Sequence, residues 1–143
     1  MHVFTYGTLM FPEVWRAVVG KEFETAAATA DGFEIYYVRE AVYPGIIAMP
    51  NGSVSGVVYF NVDVESLDRL DVFEGDDYRR QPIEVTRSDN GLKITSDAYI
   101  IPPDHRHLLT NEPWSAKDFA ARGDLARFVA RYAGFERLTD DRD

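Results

Sequence analysis

The stretch DVESLDRLDVFEGDDYRR, residues 63–80, decides how this chain folds. It opens on Asp63, whose carboxylate suits the free N–H groups of a first helical turn. It closes at Gly75, a residue type that takes the left-handed conformation ending many helices. Between them Val64, Leu67 and Leu70 recur at helical spacing and form a narrow apolar stripe. At about 3.6 residues per turn, Glu74 falls between Leu67 and Leu70, with Asp71 near the same face one turn earlier. Glu65, Asp68 and Arg69 fall on the other sides. One glutamate therefore points where the leucines point, into the body of the protein.

A glutamate aimed inward from a helix C-terminus is disfavoured as an anion on two counts. Burial removes its water, and the negative end of the helix dipole repels it. Both raise its pKa, the direction a general base working near neutral pH needs. The same residues also allow a plainer arrangement, in which Glu74 pairs with Arg79 or Arg80 just past the turn.

Working outward, Val54 to Phe60 reads as a strand leading into this helix. Ile83 to Arg87 and Leu92 to Ile101 follow it as a hairpin around Asp89-Asn90-Gly91. Upstream, Phe23 to Ala30 is a small-residue extended segment and Phe33 to Val38 an aromatic, β-branched strand. Asp31-Gly32, Tyr43-Pro44-Gly45 and Pro50-Asn51-Gly52 are the turn signals between these pieces. At the start, His2 to Tyr6 is a short buried strand running into a turn at Gly7-Thr8. Pro12 then opens a helix through Val14, Trp15, Val18 and Val19, stopped by Gly20. Such a junction leaves backbone N–H groups unpaired around Gly7 to Met10. A nest of this kind holds a carboxylate or a developing oxyanion, although many such junctions bind nothing.

Beyond the hairpin, Pro102-Pro103 ends the last strand and Asp104-His105-Arg106-His107 forms a loop. Only His2 could join His105 and His107, so a shared metal is not expected. Ser115 is a helix N-cap with Asp118 as its N3 partner. Helical periodicity then runs through Phe119, Leu125, Phe128, Val129 and Tyr132, broken by Gly123. Residues 1–138 read as one domain and 139–143 as a frayed, charged tail. Six or seven strands arriving in hairpins, with three or four short helices, define an α+β fold. The arrangement that fits is a small mixed β-barrel with flanking short helices.

Bulk properties narrow the function. The chain has 143 residues, 45% of them hydrophobic, enough for one domain with a real core. A net charge of −9 argues against nucleic acid and against anionic membranes as partners. With no cysteine, thiolate metal sites and a cysteine nucleophile are excluded. There is no G-x-G-x-x-G, P-loop or G-x-S-x-G, and Asp71, Glu74, Asp76 and Asp77 lack the EF-hand pattern. No signal peptide or bilayer-spanning run is visible, so a cytoplasmic protein is expected.

Three motifs stand in order: Tyr-Gly-Thr-Leu-Met at 6–10, Tyr-Pro-Gly at 43–45 and Leu-Asp-Val-Phe-Glu-Gly-Asp-Asp-Tyr-Arg-Arg at 70–80. Together they resemble the γ-glutamylcyclotransferase-like family, in particular its avirulence-induced-protein-like branch. The match runs from about Phe4 to Val85, and more loosely to Tyr99 and Tyr132. The resemblance implies a barrel with a cavity at one end. It also implies cyclisation of a small γ-glutamyl amide or peptide to 5-oxoproline with release of an amine or amino acid. The family's catalytic glutamate maps onto Glu74, and its substrate-holding loop onto Tyr6, Gly7, Thr8 and Leu9, with Met10 adjoining. Tyr78 and Arg79 are further candidates for lining the site. No metal and no cofactor are implied, and the partner is a small γ-glutamyl molecule met by a monomer or weak homodimer. A ligand-binding module without chemistry and an amide hydrolase are the competing expectations. After Leu9 the chain departs from the γ-glutamylamine branch, carrying Met10-Phe11-Pro12 where a basic and then polar continuation is usual.

Overall fold

The computed structural model describes residues 1–132, with side chains through residue 130. The expected boundary at 138, the tail at 139–143 and the side chain of Tyr132 lie outside the described residues. Six strands run as β1 (Val3–Thr5), β2 (Thr25–Val38), β3 (Pro44–Tyr59), β4 (Arg79–Arg87), β5 (Lys93–Ile100) and β6 (Leu109–Pro113). The helices are α1 (Pro12–Val19), α2 (Val64–Glu74), α3 (Ala116–Ala121) and α4 (Asp124–Tyr132). Short 3-10 turns occupy Thr8–Met10 and Pro103–Leu108.

The strand order is β3-β1-β5-β4-β2, and β2 pairs back onto β3, so five strands close into a barrel. β1 lies parallel to β5, with Val3 beside Asp97, and the other barrel pairings are antiparallel. β6 adds to the far end of β2. The mixed α+β barrel with short flanking helices expected from the sequence is the fold found.

Side chains sort by the period of two that a strand imposes. Phe4, Val58, Ala98 and Ile100 join Ile46, Val54 and Val85 in the cluster that fills the barrel. Their neighbours Val3, Tyr59 and Tyr99 face outward and pack under the helices with Trp15, Leu67, Leu70 and Phe119. Trp15 lies flat on Tyr59, ring centroids 3.6 Å apart and planes within 3°.

Closing so small a barrel demands sharp bending, and this is where local sequence signals mislead. β2 and β3 form one ribbon from the Thr25–Tyr59 pair to the Tyr37–Pro44 pair, with a register shift between Asp31 and Phe33. Asp31-Gly32 and Pro50-Asn51-Gly52, expected as turns, are facing irregularities within this ribbon. Gly32 (φ 89°) and Asn51 (φ 70°) provide its left-handed positions. A Cβ on Gly52 would stand 2.4 Å from the Phe33 carbonyl oxygen. Such bulges bend a strand without ending it. The turn expected at Tyr43-Pro44-Gly45 comes earlier: the Val38 N–H donates to the Tyr43 carbonyl at 3.0 Å, and Glu40 sits at φ 58°. Pro44 and Gly45 are already in β3. β6 was not expected, since a polar Thr-Asn-Glu-Pro run gives no strand signal. It pairs with β2 at Tyr36–Pro113 and Val38–Leu109.

The helix signals read more directly. Asp63 accepts from the Ser66 N–H at 3.2 Å and from its hydroxyl at 2.7 Å. Gly75 ends α2 at φ 78°, and its N–H donates to the Asp71 carbonyl. Ser115 Oγ accepts from the Asp118 N–H at 3.2 Å, and Gly123 separates α3 from α4. Two assignments on α2 need correcting. Val64 is 74% exposed, although Leu67 and Leu70 of the same stripe are buried. Arg69, read as outward-facing, is buried, with its guanidinium 3.9 Å from Glu65.

The barrel closes tightest where β1 crosses Gly56 on β3. A Cβ there would lie 2.1 Å from the Thr5 carbonyl oxygen and 2.9 Å from the Phe4 ring. Gly56→Ala is expected to cost roughly 3 kcal/mol of stability, the upper range for forcing atoms into a packed site. Urea denaturation measures this, and an unchanged midpoint would show that β1 is free to yield.

Candidate active site

At the end of β1 the chain leaves the barrel and opens a cleft. Tyr6 turns its ring inward, and its hydroxyl donates to the Tyr99 carbonyl at 2.7 Å. Gly7 then passes so close to Pro44 that a Cβ would stand 2.6 Å from the proline Cγ. The 3-10 turn follows, its Met10 N–H donating to the Gly7 carbonyl at 3.0 Å and Phe11 N–H to Thr8 at 3.2 Å. The amides opening such a turn, those of Thr8 and Leu9, have no carbonyl behind them to bond. The Tyr59 hydroxyl donates to the Leu9 carbonyl at 3.1 Å and braces the turn from outside the barrel.

Across the cleft stands the last residue of α2, Glu74. Tyr78 follows the Gly75 stop, and its hydroxyl donates to the Pro44 carbonyl at 2.7 Å. The three sequence motifs thus meet on one residue: Gly7 packs against the Pro44 ring while Tyr78 bonds its carbonyl. Together with Thr5, Leu9, Tyr43, Phe73, Tyr99 and Phe128 they enclose about 670 Å³, mouth included.

Glu74 makes no hydrogen bond or ion pair among the described residues. Its pKa is raised to about 8, first because the surrounding protein strips its carboxylate of water and then because Asp71 places a second charge nearby. Solvent reaches it only in part, through the cleft it faces. The alternative pairing with Arg79 or Arg80 does not occur. Arg80 Nε donates to Asp71 at 2.9 Å and its terminal nitrogen to Asp97 at 2.7 Å. Arg79 is exposed and stays out of the cleft. Burial likewise raises the Tyr6 and Tyr78 hydroxyls, helped by the charge of Glu74.

Of the residues singled out from the sequence, Tyr6, Gly7, Thr8, Leu9, Glu74 and Tyr78 line this one cleft. Met10 does not. It lines a separate surface cavity with Trp15, Phe23 and Tyr59. Tyr43, Phe73, Tyr99 and Phe128 line the cleft but were not singled out. Tyr43 stood in the quoted Tyr-Pro-Gly motif, whereas Tyr99 reaches the site only through the pairing of β5. His105 and His107 meet edge to face with centroids 6.2 Å apart, in the 3-10 turn before β6. Among the described residues no group of three His, Cys, Asp or Glu could hold a metal. No helix among them is long and apolar enough to cross a membrane.

Comparison with known proteins places this small closed barrel in a family. A family model described as "Gamma-glutamyl cyclotransferase, AIG2-like" matches residues 3–116. The chain belongs to that family. Protein AIG2 C of Arabidopsis thaliana is 33% identical over 99 residues, covering 69% of this chain and 60% of that protein. AIG2-like protein D of the same plant is 35% identical over 102 residues, 70% of this chain and 67% of that protein. The match to the first of these relatives thus spans about 60% of that protein's length. The solution structure of an Arabidopsis thaliana protein superposes with a TM-score of 0.70 at 26% identity, covering 99% of this chain and 84% of that one. A yeast γ-glutamyl cyclotransferase specific to glutathione shares the fold, with a TM-score of 0.64 at 14% identity over 91% of this chain and 86% of that one.

The strained charge on Glu74 has a consequence for stability. A carboxyl whose folded pKa lies above its unfolded value near 4.5 keeps its proton longer in the native state. The folded protein therefore loses stability as pH rises from about 4.5 to about 8. Glu74→Gln removes that loss. Above pH 8 the variant is expected to be more stable by on the order of 3 kcal/mol, allowing for water admitted by the cleft, with the gap closing towards pH 4.5. Thermal melts at several pH values check this. Parallel curves would mean that the carboxyl ionises in the fold without penalty.

Proposed function

We propose that this protein is a γ-glutamylcyclotransferase that converts a small γ-glutamyl amide or peptide into 5-oxoproline and a free amine or amino acid. The observation that carries the reading is the unpaired Glu74 carboxyl, with its pKa near 8, facing the open amides of Thr8 and Leu9 across one cleft. The family match and the name of the yeast structural neighbour support the same reaction class.

The substrate's α-carboxylate rests on the amides of the Gly7–Leu9 turn, where free N–H groups favour an anion. Its α-ammonium faces Glu74, which takes one proton and leaves a neutral amine. That nitrogen attacks the γ-carbonyl carbon, and a five-membered ring closes around a tetrahedral oxyanion. Because the attack is intramolecular, the enzyme's main task is to hold the folded, near-attack shape. Tyr43, Tyr78 and Tyr99 supply rigid walls for it. As the intermediate collapses, the bond to the leaving nitrogen breaks and Glu74 gives that nitrogen the proton it took. The second proton of the attacking nitrogen leaves through the freed carboxylate, so a neutral lactam and an ammonium result. The ring nitrogen and the leaving amine exchange protons only, so no cofactor and no covalent enzyme intermediate enter these steps. The protein meets its substrate in the cytoplasm, as a monomer or weak homodimer.

Turnover of a panel of γ-glutamyl amines, γ-glutamyl dipeptides and glutathione, read as 5-oxoproline by mass spectrometry, tests this. Glu74→Gln is expected to lower the rate by about 10³-fold, within the range for losing a general acid–base group. With wild type, kcat/KM is expected to rise as pH approaches 8, since the base must be free to accept a proton. Release of glutamate in place of 5-oxoproline would make the protein a hydrolase. Saturable binding without any product would make it a binding module.

A further inference from the structure

Asp71 lies one turn before Glu74 on α2, and it is the most heavily bonded carboxylate near the cleft. Its Oδ1 accepts from Arg80 Nε at 2.9 Å and from the Tyr99 hydroxyl at 2.6 Å, and its Oδ2 accepts from the Arg80 guanidinium at 3.3 Å. Arg80 is itself held by Asp97 at 2.7 Å, two residues before Tyr99 on the same face of β5. Tyr99 is tethered at both ends, because its carbonyl accepts from the Tyr6 hydroxyl while its own hydroxyl holds Asp71. A chain of bonds therefore runs from β4 through α2 and β5 to the end of β1.

The two acids contrast. Asp71 accepts from Arg80 and Tyr99, and Glu74 accepts from none of the described residues. Around Glu74 stand Asp71 on its own helix, Tyr6 from β1, Tyr43 before β3, Asp77 and Tyr78 before β4, and Tyr99 from β5. Among the described residues Arg80 is the cation bonded to this group, and it pairs with Asp71 and Asp97. The Asp71 carboxylate, one helical turn away, stands beside Glu74 and disfavours its ionised form.

We propose that Asp71 is a positioning residue of this site: clamped by Arg80 and Tyr99, it holds its carboxyl group at a fixed place one turn from Glu74 and locks the tyrosine wall of the cleft. Its part in turnover rests on the cyclotransferase reading, but the clamp does not. Asp71→Asn keeps Oδ1 for Tyr99 and Arg80 Nε, while it removes the charge and the longer Oδ2 contact with Arg80. Arg80→Gln keeps the charge and removes its counterion.

Carboxyl-carbon NMR of the full chain follows Glu74 without any substrate, its resonance assigned by its loss in Glu74→Gln. In Asp71→Asn the Glu74 midpoint is expected to fall by about one unit, and in Arg80→Gln to rise. Opposite signs are the diagnostic, since a merely loosened fold would move both variants towards the ordinary carboxyl value. Midpoints that stay put, or move the same way, would overturn the proposal. If a γ-glutamyl compound turns over, the rising limb of kcat/KM against pH is expected to shift with each midpoint. If none does, the NMR titration still decides the matter.

Discussion

Everything in this molecule that concerns chemistry hangs on one residue, Pro44, and on how closely three chain segments approach it. Gly7 touches its ring at a distance no other residue type tolerates, and the Tyr78 hydroxyl holds its carbonyl. The first contact fixes where the 3-10 turn leaves β1. The second fixes where the chain goes after α2. Between them Glu74 has little choice of position, because it lies at the end of a helix whose start is capped by Asp63 and whose exit is tied to Pro44. A barrel of five strands leaves no spare length to absorb a slip at this junction.

The electrostatics follow from that placement. A helix C-terminus repels a carboxylate, protein surrounds it, and the Arg80 guanidinium is directed elsewhere. The result is an acid with its proton held near neutrality, set opposite amides that have no acceptor of their own. The fold stores an unfavourable charge on one side of the cleft and unsatisfied donors on the other. The proposed substrate, with its ammonium and carboxylate on one carbon, is chosen to answer both.

How much of this was legible in the sequence depends on the range of the forces involved. The cap at Asp63, the stops at Gly20 and Gly75 and the inward direction of Glu74 are set within one or two turns of chain, and they read directly. Glycine and asparagine at 31–32 and 50–52 serve turns and bulges equally well, so only the pairing of β2 with β3 tells them apart. β6 exists because β2 has a free edge, a fact its own residues do not record. Met10 was grouped with Tyr6 to Leu9 by adjacency. A 3-10 turn rotates successive side chains by about a third of a revolution, which carries it round to another face. Arg79 and Arg80 stand close enough along the chain to offer Glu74 the plainer pairing. In β4 Arg80 instead pairs in register with Tyr99, where Asp71 and Asp97 claim it.

The claim that Glu74 and the Thr8–Leu9 amides form one site is tested most directly by a crystal structure with 5-oxoproline bound. The account predicts the lactam ring in the cleft over Tyr99, its carboxylate on the amides of Thr8 and Leu9 and its ring N–H within hydrogen-bond reach of Glu74. Density for 5-oxoproline only in the Met10–Trp15 cavity, or in the cleft with its carboxylate turned towards Glu74, would contradict it.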